Sequence, residues 1–200
     1  MTQYKNTDHY YHLRSTGMSA CAFTEEYYEY ARSTWLCAEC GSPMPGTTSV
    51  DVRIQERTPP EKPLTFVHCV PIIHRALLNS IGLELVRTYL YIGKVFGPTG
   101  MELEDWVTFR GHQRVIVRGS KSASYRQCCN CGQILYFAMG KRYLYPRPAD
   151  DAAIYESDLS GLVVRPELLR RVHAERWPQL GVEKLPVVGV PWDNLPELVG

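Results

Sequence analysis

No apolar run in this chain approaches the roughly 18 residues that a membrane-spanning helix needs. The opening Met1-Thr2-Gln3-Tyr4-Lys5-Asn6 also lacks a basic stretch followed by an apolar one. Together these absences predict a protein made and kept in the cytoplasm, without a membrane partner. A large basic excess is missing too: 22 Lys and Arg stand against 21 Asp and Glu, a formal charge of +1. A protein that coats nucleic acid through its net charge is therefore not expected. Common catalytic motifs are absent as well, with no Gly-x-Ser-x-Gly, no histidine-carboxylate metal motif and no dinucleotide fingerprint. Gly93-Lys94-Val95-Phe96-Gly97-Pro98-Thr99-Gly100 has the glycines of a phosphate loop, but its lysine precedes the turn instead of following it before Ser or Thr. The sequence offers an enzyme little to stand on, and no catalytic residue is assigned.

What the chain does hold is a paired cysteine pattern. Its seven cysteines are an odd number spread over 200 residues, unlike the even count that staples a small secreted scaffold. Four form two like motifs, Cys37-Ala38-Glu39-Cys40-Gly41 and Cys128-Cys129-Asn130-Cys131-Gly132. A Cys-x-x-Cys spacing lets two thiolates point the same way from one tight turn, and the trailing glycine can take the positive φ that turns backbone N–H groups toward sulfur. Two such turns supply the four thiolates of a tetrahedral zinc site, so Cys37, Cys40, Cys128 and Cys131 are the expected ligands of one structural Zn2+. A site closed by four cysteines has no open position for water, and metal catalysis is not expected from it.

The 87 residues between Cys40 and Cys128 exceed the spacing of compact zinc modules, where pairs lie about 15 to 20 apart. Loop-closure entropy grows only logarithmically, so the longer loop costs about 1.4 kcal/mol more. Apparent zinc binding free energies are about 10–16 kcal/mol. Distance does not defeat the site, and zinc would clamp two parts of one fold around a large insertion. Redox chemistry at the cysteine pairs, disulfides, or buried thiols without metal are the competing readings. Against redox, a thioredoxin-like pair starts a helix after a strand, whereas these turns end in glycine and the second runs into strand-like residues. Cys129 as a ligand in place of Cys128 would leave a Cys-x-Cys pair, so it is read as a bystander. Cys21 and Cys69 are read as small buried apolar residues.

Residues 1–20 show no clear periodicity and read as a loosely organised lead-in. Thr24 followed by Glu25 and Glu26 predicts a short helix through Arg32. The alternation Val50-Asp51-Val52-Arg53-Ile54 predicts a strand. Ile72, Ile73, Ala76, Leu77 and Ile81, with Pro71 at the first turn, predict a helix over 71–81. A strand over 83–92 is expected after the Gly82 break. Gly97-Pro98-Thr99-Gly100 predicts a turn, and strands are expected at 114–118 and 134–139, on either side of the second cysteine motif. The tail reads as strand (Leu162-Val163-Val164), helix started by Pro166, and strand (Leu185 to Val190). The expected fold class is α+β: a zinc-ribbon-like pair of Cys-x-x-Cys-Gly knuckles clamping a mixed α/β insertion, with a C-terminal strand-helix-strand unit. Residues 1–150 would form the knuckle domain and 151–200 the C-terminal unit, packed on the first as one globule.

Between Trp106 and Ala149 there is no Asp or Glu, while Arg110, Arg114, Arg118, Lys121, Arg126, Lys141, Arg142 and Arg147 give a local charge of +8. This block reads either as a basic face for phosphates or an acidic partner, or as a solvated region that offsets a zinc tetrathiolate of charge near −2. Arg126, two residues from Cys128, is the candidate neighbour of the site. His68, His74, His112 and His173 do not pair at ligand spacing and read as structural. Tyr27, Tyr28, Tyr30, Tyr89, Tyr91, Tyr143 and Tyr145 read as core or half-core residues, with a binding surface as the alternative.

The paired turns at Cys37, Cys40, Gly41 and Cys128, Cys131, Gly132, set around a long mixed insertion, resemble the double-CXXCG family of myxobacterial paralogues. The tail is similar as well, with Asp158 and Gly161 before Leu162-Val163-Val164, a helix through Leu168 and Val172, and Leu185-Pro186-Val187. The approach Trp35-Leu36-Cys37 departs from the pattern, lacking a Pro-Gly before the first cysteine, and Cys129 is an extra thiol. The family is associated with immunity proteins of swarm-inhibition toxin systems. The resemblance implies a cytoplasmic protein that binds and neutralises a cognate kin-delivered protein toxin; the basic block and the cysteine pairs leave a zinc-ribbon nucleic-acid-binding protein and a thiol redox protein as alternatives.

Overall fold

A computed structural model describes residues 9–16, 21–48, 50–57, 59, 62–121, 125–136, 138–145, 147–148 and 152–189. The elements run β1 (His9–Ser15), α1 (Glu25–Thr34), β2 (Val52–Arg53), β3 (Leu64–Val67), β4 (Val70–His74), α2 (Arg75–Ile81), α3 (Leu83–Tyr89), β5 (Leu90–Phe96) and β6 (Glu102–Gly111). They continue with β7 (Arg114–Val115), β8 (Val117–Lys121), β9 (Tyr125–Gln127), β10 (Ile134–Tyr136), β11 (Met139–Leu144), β12 (Ile154–Ser157), β13 (Gly161–Val164), α4 (Pro166–Val172) and β14 (Leu180–Pro186). Helices and mixed sheets are both present, which is the α+β class the sequence predicts. No helix among the described residues is long and apolar enough to cross a membrane.

Two five-stranded sheets organise the chain. The first has the order β2-β5-β6-β4-β3, and the second β14-β1-β13-β12-β7. All neighbours are antiparallel except β2 with β5 and β7 with β12. Two ribbons, β8 with β11 and β9 with β10, complete the strand pairing. Side chains alternate across a strand, so each sheet feeds two cores. Between the sheets and α2, α3 and α4 lies the largest core, where Ile73, Phe109 and Val107 of the first sheet join Leu13, Ile154, Leu162 and Val164 of the second. The opposite face of the first sheet packs Val52, Val67, Val70, Ile72 and Val95 against Phe23, Ala31 and Leu36 around α1. The opposite face of the second sheet packs Tyr10, Tyr155, Val163 and Leu185 against Val117 and Leu144 of the β8–β11 ribbon. At about 1.5–3 kcal/mol per fully buried aliphatic side chain, these cores supply most of the apolar stabilisation of the fold.

Several local predictions hold. Thr24 sits at the N-cap of α1 with Glu25 and Glu26 in its first turn, and Pro166 occupies the first turn of α4. The turn at 97–100 joins β5 to β6, with Gly97 N donating to Met101 O. Strands form at β2, β7, β8 and β10; Phe137 and Val190 lie outside the described residues.

Four predictions are corrected. The lead-in is no loose segment over 9–15, since β1 is an interior strand between β13 and β14. The helix expected over 71–81 begins only at Arg75. Val70, Ile72 and Ile73 are β-branched and fully buried on a strand between β3 and β6, where both faces need apolar residues and a helical spacing arises by coincidence. His74 marks the boundary, its Nδ1 accepting from Ala76 N at 3.2 Å. The strand expected over 83–92 is a helix as far as Tyr89. Val86 is buried and Leu85 and Tyr89 pack on the main core, a helical i, i+4 placement. In the tail the predicted first strand and helix form, but the last strand, expected over 185–190, is displaced to Leu180–Pro186, and β13 and β14 do not pair; β1 separates them.

Candidate metal centre

The two cysteine turns are built alike. In the first, Cys37 N donates to Ser42 O at 2.8 Å and Gly41 N to Cys37 O at 2.8 Å. In the second, Cys128 N donates to Gln133 O and Gly132 N to Cys128 O, both at 2.9 Å. Gly41 and Gly132 take φ of 67° and 70°, a left-handed conformation that a side chain would strain. The first turn is fixed at the end of α1, where Trp35 N and Leu36 N both donate to Ala31 O and Leu36 bridges to Pro43. The second joins β9 to β10, and Gln127 Nε2 donates to Gly132 O at 3.1 Å.

The fold brings these turns face to face. Cys37 Sγ lies 3.7 Å from Cys128 Sγ, and Cys40 Sγ 3.7 Å from Cys131 Sγ. All four sulfurs fall within 4.8 Å of one another. A disulfide needs about 2.05 Å, and no pair approaches it. For a metal–thiolate bond of about 2.3 Å, a regular tetrahedron has sulfur–sulfur edges of about 3.8 Å. The cluster has the size of one four-coordinate ion, and these residues could hold one. Cys37 and Cys128 are buried, while Cys40 and Cys131 are half-buried at its outer side.

The electrostatics are uneven. The backbone N–H of Cys40 and the Asn130 side chain pull the Cys37 thiol down to about 6. Burial pushes Cys131 up to about 12, and burial also raises Cys40. A metal entering this set binds thiolates, so it displaces whatever protons the four thiols carry.

Asn130 and Gln133 were not singled out by the sequence. Asn130 Nδ2 donates to Cys37 Sγ of the opposite turn at 3.3 Å. With its amide oriented to suit both neighbours, Gln133 donates to Pro43 O at 3.2 Å and accepts from the Arg114 guanidinium. Their position inside or beside a Cys-x-x-Cys-Gly motif was the available signal. Of the other cysteines, Cys129 is exposed and outside the cluster, Cys21 is buried in a core as predicted, and Cys69 is only half-buried, accepting from Ser42 Oγ at 3.6 Å.

Four of the eight cations of the basic block are engaged with groups of the chain itself. Arg110 Nε donates to Glu156 at 3.0 Å, and Arg114 Nε lies 3.9 Å from the same carboxylate. Arg142 donates to Glu183 at 2.8 Å, and Arg118 to Tyr145 O at 3.1 Å with its guanidinium over the Tyr145 ring. The acidic partners come from outside the block, which explains how so many cations fit without an acid among them. Lys121, Lys141 and Arg147 stay exposed, and the Arg126 side chain lies outside the described residues. His68 packs its ring nearly parallel to both Phe23 and Tyr28, at centroid distances of 4.7 and 5.0 Å, a structural use of its ring. Tyr143 is buried and Tyr27, Tyr28, Tyr89 and Tyr145 half-buried, whereas Tyr30 and Tyr91 are exposed.

No family model and no curated protein matches the chain, so the four-sulfur cluster and its surroundings carry the functional argument.

Proposed function

We propose that this chain is a non-enzymatic binding protein whose scaffold is held by one zinc ion at Cys37, Cys40, Cys128 and Cys131. The supporting observation is the sulfur geometry, with edges of 3.7 Å close to those of a zinc tetrathiolate. An all-thiolate tetrahedral set favours zinc over hard cations. Four thiolates fill the shell, so the ion contributes structure and activity falls to the protein surface. Native mass spectrometry of the full chain tests this reading: one zinc per chain is expected, and a stable metal-free protein or a different metal would contradict it.

The binding role is that of a cytoplasmic immunity protein that neutralises a cognate kin-delivered toxin. Its support is the resemblance of the paired turns and of the strand-helix-strand tail to the double-CXXCG family. The nucleic-acid alternative needs the block from Arg110 to Arg147 as a free basic face, and four of its arginines are engaged with Glu156, Glu183 and Tyr145. Co-expression with the product of the adjacent upstream gene should rescue cells from that product. A well-folded protein that gives no rescue would overturn the immunity reading.

A further inference from the structure

The face of the second sheet covered by β8 and β11 is apolar over Tyr10, Tyr155 and Leu185 but polar at one end. Tyr10, His12 and Arg14 share that face by the two-residue period of β1. Glu183 of β14 lies directly opposite His12. Arg142 of the covering ribbon donates to Glu183 Oε2 at 2.8 Å, and Arg14 Nε lies 3.3 Å from the same oxygen without the alignment of a hydrogen bond. Two guanidiniums thus share one carboxylate, an excess of one positive charge among the described residues.

Hydrogen-bonding capacity is unspent around the same point. Among the described residues, Arg14 Nε and Ser15 Oγ are buried without a hydrogen-bond partner, and so are both ring nitrogens of the fully buried His12. Leaving such groups unpaired is costly unless a guest satisfies them. A cavity of about 240 Å³ opens here, lined by Arg14, Ser15, Phe66, Arg142, Leu159 and Ser160. None of these wall residues is acidic. Gly161, next in the chain to the lining residue Ser160, lies close to His12: a Cβ there would come within 2.6 Å of His12 Nε2.

An excess of donors and of positive charge around a small opening calls for an acceptor-rich guest. We propose that this cavity binds a small oxyanion, a phosphate or a carboxylate, held by Arg14 and Arg142 with Ser15 as a hydroxyl donor. The planar guanidinium fork suits both chemistries. None of the lining residues belongs to either cysteine turn, and the proposal does not depend on the zinc or toxin reading.

The test titrates inorganic phosphate into the full chain at low ionic strength, read by calorimetry and by the His12 ring signals in NMR. Saturable binding with a shift of the His12 signals is expected. Arg142→Gln should weaken it about tenfold, the loss of one charge-assisted hydrogen bond. Glu183→Gln, which removes the negative charge that both guanidiniums share, should tighten it. The opposite signs keep the test decisive should Arg142→Gln fail to fold. Competition with propionate identifies the source: displacement of phosphate assigns carboxylate-bearing guests to the site, and no displacement restricts it to phosphate. No saturable phosphate or propionate binding by the folded chain, or phosphate binding that Glu183→Gln does not strengthen, would overturn the proposal.

Discussion

The side-chain amide of Asn130, on the second cysteine turn, donates to Cys37 Sγ on the first. It is the hydrogen bond that an electron-rich sulfur would strengthen, and it crosses between segments that meet only in the folded chain. Asn130→Ala is expected to keep the metal but lower its affinity about 10- to 100-fold, measured by competition with a chromophoric chelator. Unchanged affinity would show the contact to be incidental.

Removing a sulfur is a harsher change. Cys37→Ser or Cys131→Ser should lose the bound ion and melt at least about 10 °C lower, since a 200-residue chain loses about 2–4 °C per kcal/mol. Cys129→Ser, at an exposed position outside the cluster, should retain one metal and stay within about 0.5 kcal/mol of the parent.

Two buried groups bend the pH profile in opposite senses. Burial raises Asp158 from 3.8 to about 6, so between those values the folded chain keeps a proton that the unfolded chain releases, and stability falls as pH rises. Burial, with Arg142 and Arg14 nearby, lowers His12 from 6.5 to about 3, so its contribution is full above 6.5 and lost as pH falls toward 3. Asp158→Asn, able to accept from Val117 N as Asp158 Oδ1 does, should be more stable than the parent at pH 7 by roughly 1–3 kcal/mol. His12→Leu should flatten the loss below pH 6.5. Urea unfolding from pH 4 to 8 reads both, and an Asp158→Asn protein weaker than the parent at pH 7 would refute the first.

Gly161→Ala should cost about 2–4 kcal/mol, although glycine to alanine at an open site with permissive backbone stabilises by about 0.4–1 kcal/mol. The added methyl would lie 2.4 Å from Leu13 O and 2.6 Å from His12 Nε2. Chemical denaturation measures the difference directly.

The features legible in the sequence are those decided by a few neighbouring residues. Each cysteine turn closes on its own backbone bonds, so Cys37 to Gly41 and Cys128 to Gly132 could be read without knowing that they meet. Thr24 before two glutamates and Pro166 before a helical run are equally local signals. The misread segments owe their conformation to distant partners. Val70, Ile72 and Ile73 lie on a strand flanked by β3 and β6, and burial on both faces erases the alternation that would have revealed it. Leu83 to Tyr89 contains β-branched and aromatic residues, yet tertiary packing of Val86 and Leu85 holds it helical. The reach of Asn130 to Cys37 and of Gln133 to Pro43 depends on two turns 91 residues apart being brought together, which no local pattern encodes.

The placement of β1 between β13 and β14 also sets a schedule for biosynthesis. At about 5–20 residues per second, its two partners leave the ribosome roughly 10–30 s after β1 itself. Throughout that interval both edges of Tyr10-Tyr11-His12-Leu13 are open to any other strand. A nascent chain stalled before Leu180 would present an aromatic, half-paired strand, the kind of surface that holdase chaperones cover.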